Sequence, residues 1–357
     1  MSFRTKRVIF ITPFYMLFEF FLLKYIFLLF GGLDDSYLII LTILIGLIHF
    51  VPMFVEGRNS NIITRFLSSI DGVWMWASVM LLIDIILIYS LTQFIGLSDD
   101  VILVFLAFVP ILGVYNYYKA HKLIVNEKTL TFANLAHDIN IVQLSDVHFG
   151  SVRHRQIIKE IASKLIELED YCDIAIISGD LADGSSAVLE DDFDYFKEVK
   201  IPIVFTPGNH DFYPGIENVI EASRNAGLIV LDNESYEYEN LNIYGLTYSF
   251  GDIETPDSHE IKEKVSPDKL NIINYHVPYR WEEFSNLGFD LQLSGHTHGG
   301  QFYPVVWIAD MMFKYNKGLF KTADDKYIHV TTGVGSMDTP MRWGTDSELV
   351  ILKLRKR

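Results

Sequence analysis

Five short blocks of the chain carry acidic, amide and imidazole side chains whose types suit a metal centre. They read Ser-Asp-Val-His, Gly-Asp-Leu-Ala-Asp, Gly-Asn-His-Asp, Tyr-His-Val-Pro and Gly-His-Thr-His-Gly-Gly. Carboxylate, amide oxygen and imidazole ligands, with no thiolate among them, are typical of Mn²⁺, iron or Zn²⁺ sites. The candidate ligands are Asp146, His148, Asp180, Asn209, His276, His296 and His298.

This ligand set is too large for one catalytic ion, but it suffices for two ions if one carboxylate bridges them. Two metals about 3.5–4 Å apart can clamp the attacking and the leaving oxygen of a phosphoryl transfer. The sequence therefore predicts two divalent metal ions as cofactors and a reaction on phosphate.

Each block directly follows an apolar run that is typical of a buried strand. Because strand ends in α/β folds converge on one crevice, the five blocks are expected to meet there. Helical spacing predicts helices over Ile157–Leu168 and Val219–Ala226, so the fold class is α/β. The predicted strands are Ile139–Leu144, Asp173–Ile177, Ile201–Phe205, Leu228–Leu231, Ile243–Leu246, Asn271–Asn274, Leu291–Leu293 and Tyr327–Thr331.

The N-terminal third has a different composition. Acidic and basic residues balance up to Lys122, so the net charge of −16 lies entirely in the remainder. We predict a transmembrane anchor over residues 1–122 and a catalytic domain over 123–357. Four apolar runs are each close to the length of about 20 residues that crosses a bilayer. They are Val8–Phe30, Tyr37–Phe54, Val73–Ile95 and Val101–Tyr118.

Short-loop charges predict the orientation of these spans, because cytoplasmic loops are rich in Lys and Arg. The two hairpin turns carry only acids, at Asp34, Asp35, Asp99 and Asp100. The basic residues lie on the other side, at Arg4, Lys6, Arg7, Arg58, Arg65, Lys119, Lys122 and Lys128. We therefore expect a multi-pass cell-membrane protein whose catalytic domain faces the cytoplasm.

Composition also excludes several classes of protein. Abundant aromatic and aliphatic residues exclude extensive disorder. Cys172 is the single cysteine, which excludes a disulfide scaffold. The acidic balance disfavours a nucleic-acid partner, since phosphate backbones need a basic surface. The sequence does not indicate an oligomeric state.

Ionisable residues also fall inside the predicted spans, where they are costly and by default suggest function. The alternative, which we favour, is mutual pairing that holds the helices together. These residues are Glu19, Lys24, His49 and Asp84.

The run of five blocks resembles the calcineurin-like metallophosphoesterases, and more closely their membrane-linked YkuE/YaeI-type phosphodiesterase branch. The resemblance covers roughly Ile139 to Leu354 and includes the stretches from Leu291 to Gln301 and from Thr332 to Ser336. It implies an αββα sandwich and hydrolysis of a phosphodiester or pyrophosphate by a metal-bridging hydroxide.

The resemblance also implies a role for each candidate residue. One ion would be held by Asp146, His148 and His298, the other by Asn209, His276 and His296, with Asp180 bridging. His210 would act beside the metals on the leaving-group oxygen, and Asp211 would orient its ring.

Other polar residues near the blocks have two interpretations each. Asp183 could contact a metal ligand or cap a helix. Arg153, His154 and Arg155 could bind a second phosphate or form a solvated helix start. Arg342 could clamp phosphate or form a structural salt bridge.

Two classes of function follow: a hydrolase, or a metal-binding membrane scaffold without catalysis. The presence of both His210 and Asp211, which metal binding does not require, favours the enzyme. The branch implies a lipid-linked substrate of the UDP-2,3-diacylglucosamine type, with nucleotide phosphodiesters as the alternative.

The segment 302–320, FYPVVWIADMMFKYNKGLF, is unusually apolar for one that leaves a catalytic loop. Four-residue spacing of Trp307 with Met311 and of Ile308 with Met312 predicts a short amphipathic helix. Its apolar face could pack into the core of the domain. Alternatively, it could form an exposed lip that contacts a membrane or an acyl chain.

Overall fold

The chain folds into two compact units. The computed structural model describes residues 3–57, 60–248, 255–322 and 325–357, with side chains of the first helix from Phe10 onward. The first unit comprises Met1–Lys119 with Asp338–Met341, and the second comprises Ala120–Met337 with Arg342–Arg357.

The first unit is built from helices. Within the described residues, four helices are long and apolar enough to cross a membrane, which confirms the four predicted spans. The third begins eleven residues before the predicted Val73, because the side chain of Asn61 caps it by accepting from the backbone N–H groups of Ile63 and Thr64. Arg58 lies outside the described residues. The helices are α1 (Phe3–Leu28), α2 (Asp35–Glu56), α3 (Ile62–Thr92) and α4 (Asp99–Ala120).

The ionisable residues of the spans do not pair with one another as predicted. Glu19 is fully buried and accepts from Ser78 Oγ at 2.8 Å and Trp74 Nε1 at 3.1 Å. His49 and Lys24 instead bind aspartates of neighbouring helices: His49 Nδ1 lies 2.9 Å from Asp71, and Lys24 Nζ lies 3.0 Å from Asp35. These contacts join α1 to α2 and α3, and α2 to α3.

The second unit contains two six-stranded sheets in the described residues. The first has the order β1-β12-β2-β3-β4-β5, with all pairs parallel except β12 with β2. Its strands are β1 (Leu123–Phe132), β2 (Ile139–Leu144), β3 (Ile174–Ile177), β4 (Ile203–Phe205), β5 (Ile229–Val230) and β12 (Ser347–Lys356).

The second sheet has the order β10-β11-β9-β8-β7-β6, with its outer pairs antiparallel and its four central strands parallel. Its strands are β6 (Glu234–Tyr238), β7 (Leu241–Leu246), β8 (Leu270–Tyr275), β9 (Leu291–Ser294), β10 (Gly318–Lys321) and β11 (Tyr327–Val330).

The sheets pack face to face, with helices on their outer faces. One apolar cluster lies between them and joins Ile141 and Ile176 of the first sheet to Ile243 and Leu293 of the second. Two further clusters lie outside, and the one on the second sheet contains Trp281. This arrangement confirms the predicted αββα sandwich. The helices are α5 (His154–Leu168), α6 (Ile216–Asn225), α7 (Ser258–Lys262), α8 (Trp281–Leu287) and α9 (Val305–Met312).

Candidate metal centre

The five predicted blocks follow the carboxyl ends of parallel strands in both sheets. Those from β2, β3 and β4 come from the first sheet, and those from β8 and β9 come from the second. Each block follows a short strand that is buried at nearly every position, so the polar residues of the block lie at a fixed edge of the sandwich. The two edges bring all seven predicted ligands together.

One group of ligand atoms combines the first and last blocks. Ligand atoms of Asp146, His148 and His298 lie within 4.8 Å of one another, and all three residues are buried. The two imidazole Nε2 atoms are 3.0 Å apart, and His298 Nε2 lies 3.3 Å from Asp146 Oδ1. Convergence of two ring nitrogens on one carboxylate oxygen is the arrangement of a transition-metal site.

A second group surrounds Asp180. Its ligand atoms lie within 4.8 Å of those of His276 and His296, and Asp180 Oδ2 is 3.0 Å from His276 Nε2. Asn209 joins this group, because its Oδ1 lies 2.9 Å from His296 Nδ1. Asp180 also groups with His148 and His210, so its carboxylate stands between the two sets of ligands.

Contacts behind the ligands fix their orientation. His276 Nδ1 lies 2.7 Å from the carbonyl oxygen of Ser178, so an Nδ1–H would donate there and leave the Nε2 lone pair directed into the site. The hydroxyl of Ser145 donates to Asp146 Oδ2, and the backbone N–H of His296 donates to the same carboxylate. No role was predicted for Ser145 or Ser178, although Ser145 is the first residue of its block and Ser178 immediately precedes Gly179 and Asp180.

The electrostatics of the site keep most of its imidazoles neutral. Burial lowers the pKa of both His148 and His298 well below the usual value, helped by His210 in the first case and Arg342 in the second. Burial and the nearby His276 lower the pKa of His296 to about 4. Although burial opposes it, the Asp180 carboxylate raises the pKa of His276 to about 9, so a cation binding here would displace that proton. The donor set therefore fits divalent cations.

Five of the predicted ligands adopt left-handed backbone conformations, which non-glycine residues rarely do. The angle φ is 50° at Asp146, 52° at His148, 55° at Asp180, 71° at His296 and 49° at His298. Each such residue costs about 1–2 kcal/mol relative to the right-handed conformation. Strain concentrated in these loops supports a functional role for them.

Two glycines allow the loops to approach so closely. A Cβ on Gly295 would lie 2.2 Å from Asp146 Oδ2, and a Cβ on Gly208 would lie 2.3 Å from Asp180 Oδ1. Any larger residue at either position would displace a predicted ligand.

His210 and Asp211 stand beside the ligands, but Asp211 does not contact the His210 ring as predicted. Its fully buried carboxylate accepts from the backbone N–H groups of Asp180 at 3.0 Å, Ala182 at 2.8 Å and Gly208 at 2.8 Å. Burial and the nearby Asp180 raise the pKa of Asp211 to about 7. Asp211 therefore ties together the second and third blocks through their backbone N–H groups.

The half-buried His210 is held by other groups. Its backbone N–H donates to Asp180 Oδ1 at 2.8 Å, and its Nδ1 lies 3.4 Å from the carbonyl oxygen of Asp183. The ring centroids of His210 and His148 are 4.9 Å apart. The carbonyl of Asp183, which sequence reasoning missed, takes the position beside the ring that was predicted for Asp211. The Asp183 carboxylate accepts from the N–H of Ser185 and so stabilises a turn.

The arginines with two interpretations are engaged within the protein. Arg153 pairs with Glu160, and Arg155 donates to Asp191 at 2.6 Å and Asp192 at 2.7 Å. Both arginines are therefore paired with acidic side chains, and the interpretation of a purely solvated helix start is wrong for both.

Arg342 takes neither of its predicted roles. It is fully buried, and its Nη atoms donate to the carbonyl oxygens of Thr332, Gly333, Gly335 and Asp346 and to Thr345 Oγ1. Burial lowers its pKa to about 10, so the guanidinium stays charged at neutral pH. It thereby fixes the loop whose Gly335 N–H donates to the carbonyl of Asp146 at 2.7 Å.

Comparison with known proteins identifies relatives of the second unit. The family profile described as calcineurin-like phosphoesterase matches residues 139–300, which include all seven predicted ligands. An uncharacterised metallophosphoesterase of Aquifex aeolicus is 31% identical over 255 residues, which cover 69% of this chain and 97% of that protein.

Two further relatives are longer than the matched region. An uncharacterised metallophosphoesterase of Campylobacter jejuni is 29% identical over 228 residues, 62% of this chain and 60% of that protein. A protein of Danio rerio named "Transmembrane protein with metallophosphoesterase domain" is 26% identical over 235 residues, 61% of this chain and 53% of that protein. The chain thus spans about three fifths or less of the length of these two relatives.

Proposed function

Since the chain belongs to the calcineurin-like phosphoesterase family, as the Aquifex relative establishes, we propose that it is a membrane-anchored two-metal hydrolase of phosphodiesters or pyrophosphates. Residues 1–122 are the proposed anchor and 123–357 the proposed catalytic domain. One observation carries the proposal: the Asp180 carboxylate stands between two groups of candidate ligands.

The proposed metal ligands divide between two positions. Asp146, His148 and His298 would hold one cation, and Asn209, His276 and His296 the other, with Asp180 shared. Bound cations would supply an acidified water and draw charge from the non-bridging oxygens of the phosphate. Mn²⁺, iron and Zn²⁺ all suit these donors.

The protein groups supply orientation and proton transfer. His210 lies at the edge of the site with its Nδ1 facing the carbonyl of Asp183, so an Nδ1–H there would leave Nε2 to exchange a proton with the leaving-group oxygen. Asp211 acts as a positioning residue, because its three backbone contacts hold the loops that carry Asp180 and His210.

Hydrolysis of bis-p-nitrophenyl phosphate by the purified full-length protein tests the proposed activity. We expect turnover with Mn²⁺ that is lost on addition of a chelator and recovered when the metal is restored. No turnover above buffer with Mn²⁺, Zn²⁺, Ni²⁺ or Fe²⁺ would contradict the enzyme and favour a metal-binding scaffold.

We also propose that the catalytic domain faces the cytoplasm. The basic residues Lys119, Lys122 and Lys128 follow the last span, whereas the hairpin turns carry acids. A reporter fused after Lys128 should fluoresce as a cytoplasmic protein, and an alkaline phosphatase fused in the hairpin 31–36 should be active outside. Export of a reporter fused after Lys128 would reverse the assignment.

A further inference from the structure

Helix α9 presents an apolar face to the solvent. The exposed fraction is 62% for Trp307, 46% for Ile308, 79% for Met311 and 68% for Met312. The opposite side of the helix anchors it, since Val306 and Ala309 are buried. The predicted amphipathic helix is confirmed, and the interpretation that its large apolar side chains pack into the core is wrong.

This helix lies directly against the loop of the last two predicted ligands. A Cβ on Gly300, two residues after His298, would lie 2.5 Å from the Cα of Val306. At the other end of α9, the ring of Phe313 lies 6.1 Å from the ring of His296 and stacks on Tyr279 at 5.8 Å. Helix α9 therefore borders the loop of the candidate metal centre through its buried side and its C-terminal end.

The chemistry of the face indicates lipid as its partner. Large side chains of Trp, Ile and Met on a helix surface partition into the boundary between headgroups and acyl chains. The single charged residue of α9, Asp310, is bound to Asn316 Nδ2 at 2.6 Å. Because the net charge of the chain is −16, attraction to anionic headgroups does not favour contact of this face with a bilayer, and burial of its apolar side chains would supply the free energy of docking.

The short connection between the two units keeps the second unit near any bilayer that the first unit spans. Among the residues that the structure describes, four helices are long and apolar enough to cross a membrane. Only residues 121 and 122 separate the end of α4 at Ala120 from the start of β1 at Leu123, and two residues extend at most about 7 Å. We propose that the exposed face of α9, formed by Trp307, Ile308, Met311 and Met312, docks on the lipid bilayer.

Docking of α9 would define the substrate class, an extension that rests on the proposed function. A phosphoester carried by a membrane lipid would keep its acyl chain on the α9 face while its phosphate reaches the metal centre. A small soluble diester would use the same centre without contacting α9.

Site-specific labelling tests the lipid contact without any catalysis. Cys172 is buried and is the single cysteine, so a Cys172→Ala background accepts one new label site. The Met311→Cys variant is labelled with the fluorophore NBD. It is then reconstituted into nanodiscs of dioleoylphosphatidylcholine that contain doxyl lipid as a quencher. Leu189→Cys is the matched control, because Leu189 is an exposed apolar residue of the same unit at 58% exposure.

We expect the Met311→Cys label to emit at shorter wavelength and to be quenched by doxyl lipid, and the Leu189→Cys label to behave as in water. Equal, water-like emission from both labels would overturn the proposal. Raised salt should leave the quenching unchanged, since the contact is apolar.

Kinetics test the extension to substrate. In the double variant Trp307→Ser with Met311→Ser, KM for hexadecyl p-nitrophenyl phosphate in the same nanodiscs should rise about tenfold or more. Hydrolysis of bis-p-nitrophenyl phosphate should stay at the wild-type rate. An equal change for both esters would contradict the lipid substrate, whereas quenching without any hydrolysis would contradict the proposed enzyme and leave the docking surface intact.

Discussion

Replacing Asp180 by Asn should abolish hydrolysis and remove bound metal more completely than loss of any other single ligand. The amide keeps an oxygen to accept from the N–H of His210, which Asp180 Oδ1 does at 2.8 Å, so the loop should keep its fold. It lacks the charge and the second oxygen needed to contact two cations. We expect kcat/KM to fall by more than about 10³-fold, beyond the loss of one transition-state contact.

Elemental analysis of the purified variant measures the outcome directly. His148→Ala, which removes a ligand from one proposed position only, should retain more metal than Asp180→Asn. The exposed Asp268 provides a matched control, and Asp268→Asn should keep full activity and metal content. Two equivalents of metal retained in Asp180→Asn would refute a bridging role for this carboxylate.

Replacing His210 by Ala should separate catalysis from metal binding. His210 is proposed to act on the leaving group and not to hold a cation, so the variant should keep its metal while kcat falls about 10²- to 10⁴-fold, the range for a general acid. Esters with good leaving groups need less protonation, and p-nitrophenyl esters should therefore lose less activity than alkyl esters. Steady-state kinetics on a leaving-group series gives the comparison.

An exposed histidine of the same unit is the control for this experiment. His259→Ala should leave both kcat and metal content unchanged, because its side chain is 81% exposed. Equal losses for p-nitrophenyl and alkyl esters in His210→Ala would count against proton donation. Loss of metal from the variant would instead make His210 a ligand, as its grouping with His148 and Asp180 permits.

The convergence of the seven candidate ligands was predictable from sequence because its signals are local. Each ligand block directly follows a buried apolar strand, and parallel strands direct their carboxyl ends to one edge. The observed strands β2, β3, β4, β8 and β9 fall within two residues of the predicted boundaries. The four apolar spans were predictable for the same reason, since length and composition suffice.

The strands that escaped prediction depend on distant partners. β1 pairs with β12, joining Leu123 to Ser347, and no local pattern indicates that pairing. The edge strands β6 and β10 contain only half-buried and exposed residues, so they lack a continuous apolar run. Tertiary pairing, which a local window of sequence cannot reveal, determines these strands.

The roles of Asp211 and Arg342 could not be read from residue types either. A carboxylate beside a histidine usually orients its ring, yet Asp211 accepts from three backbone N–H groups. A guanidinium near a phosphate site usually suggests substrate, yet Arg342 donates to four backbone carbonyls. Backbone groups leave no trace in side-chain composition, so only the folded loops reveal such partners.

The left-handed backbone conformations of five proposed ligands place opposite demands on thermal stability and on catalysis. Glycine adopts positive φ without steric penalty, so a variant library screened for heat resistance alone should enrich glycine at positions such as His148 and His298. Each gain in melting temperature there would delete a ligand. Laboratory evolution of a heat-stable variant therefore has to select for turnover in every round. Selection for stability alone would produce a more stable protein without catalytic activity.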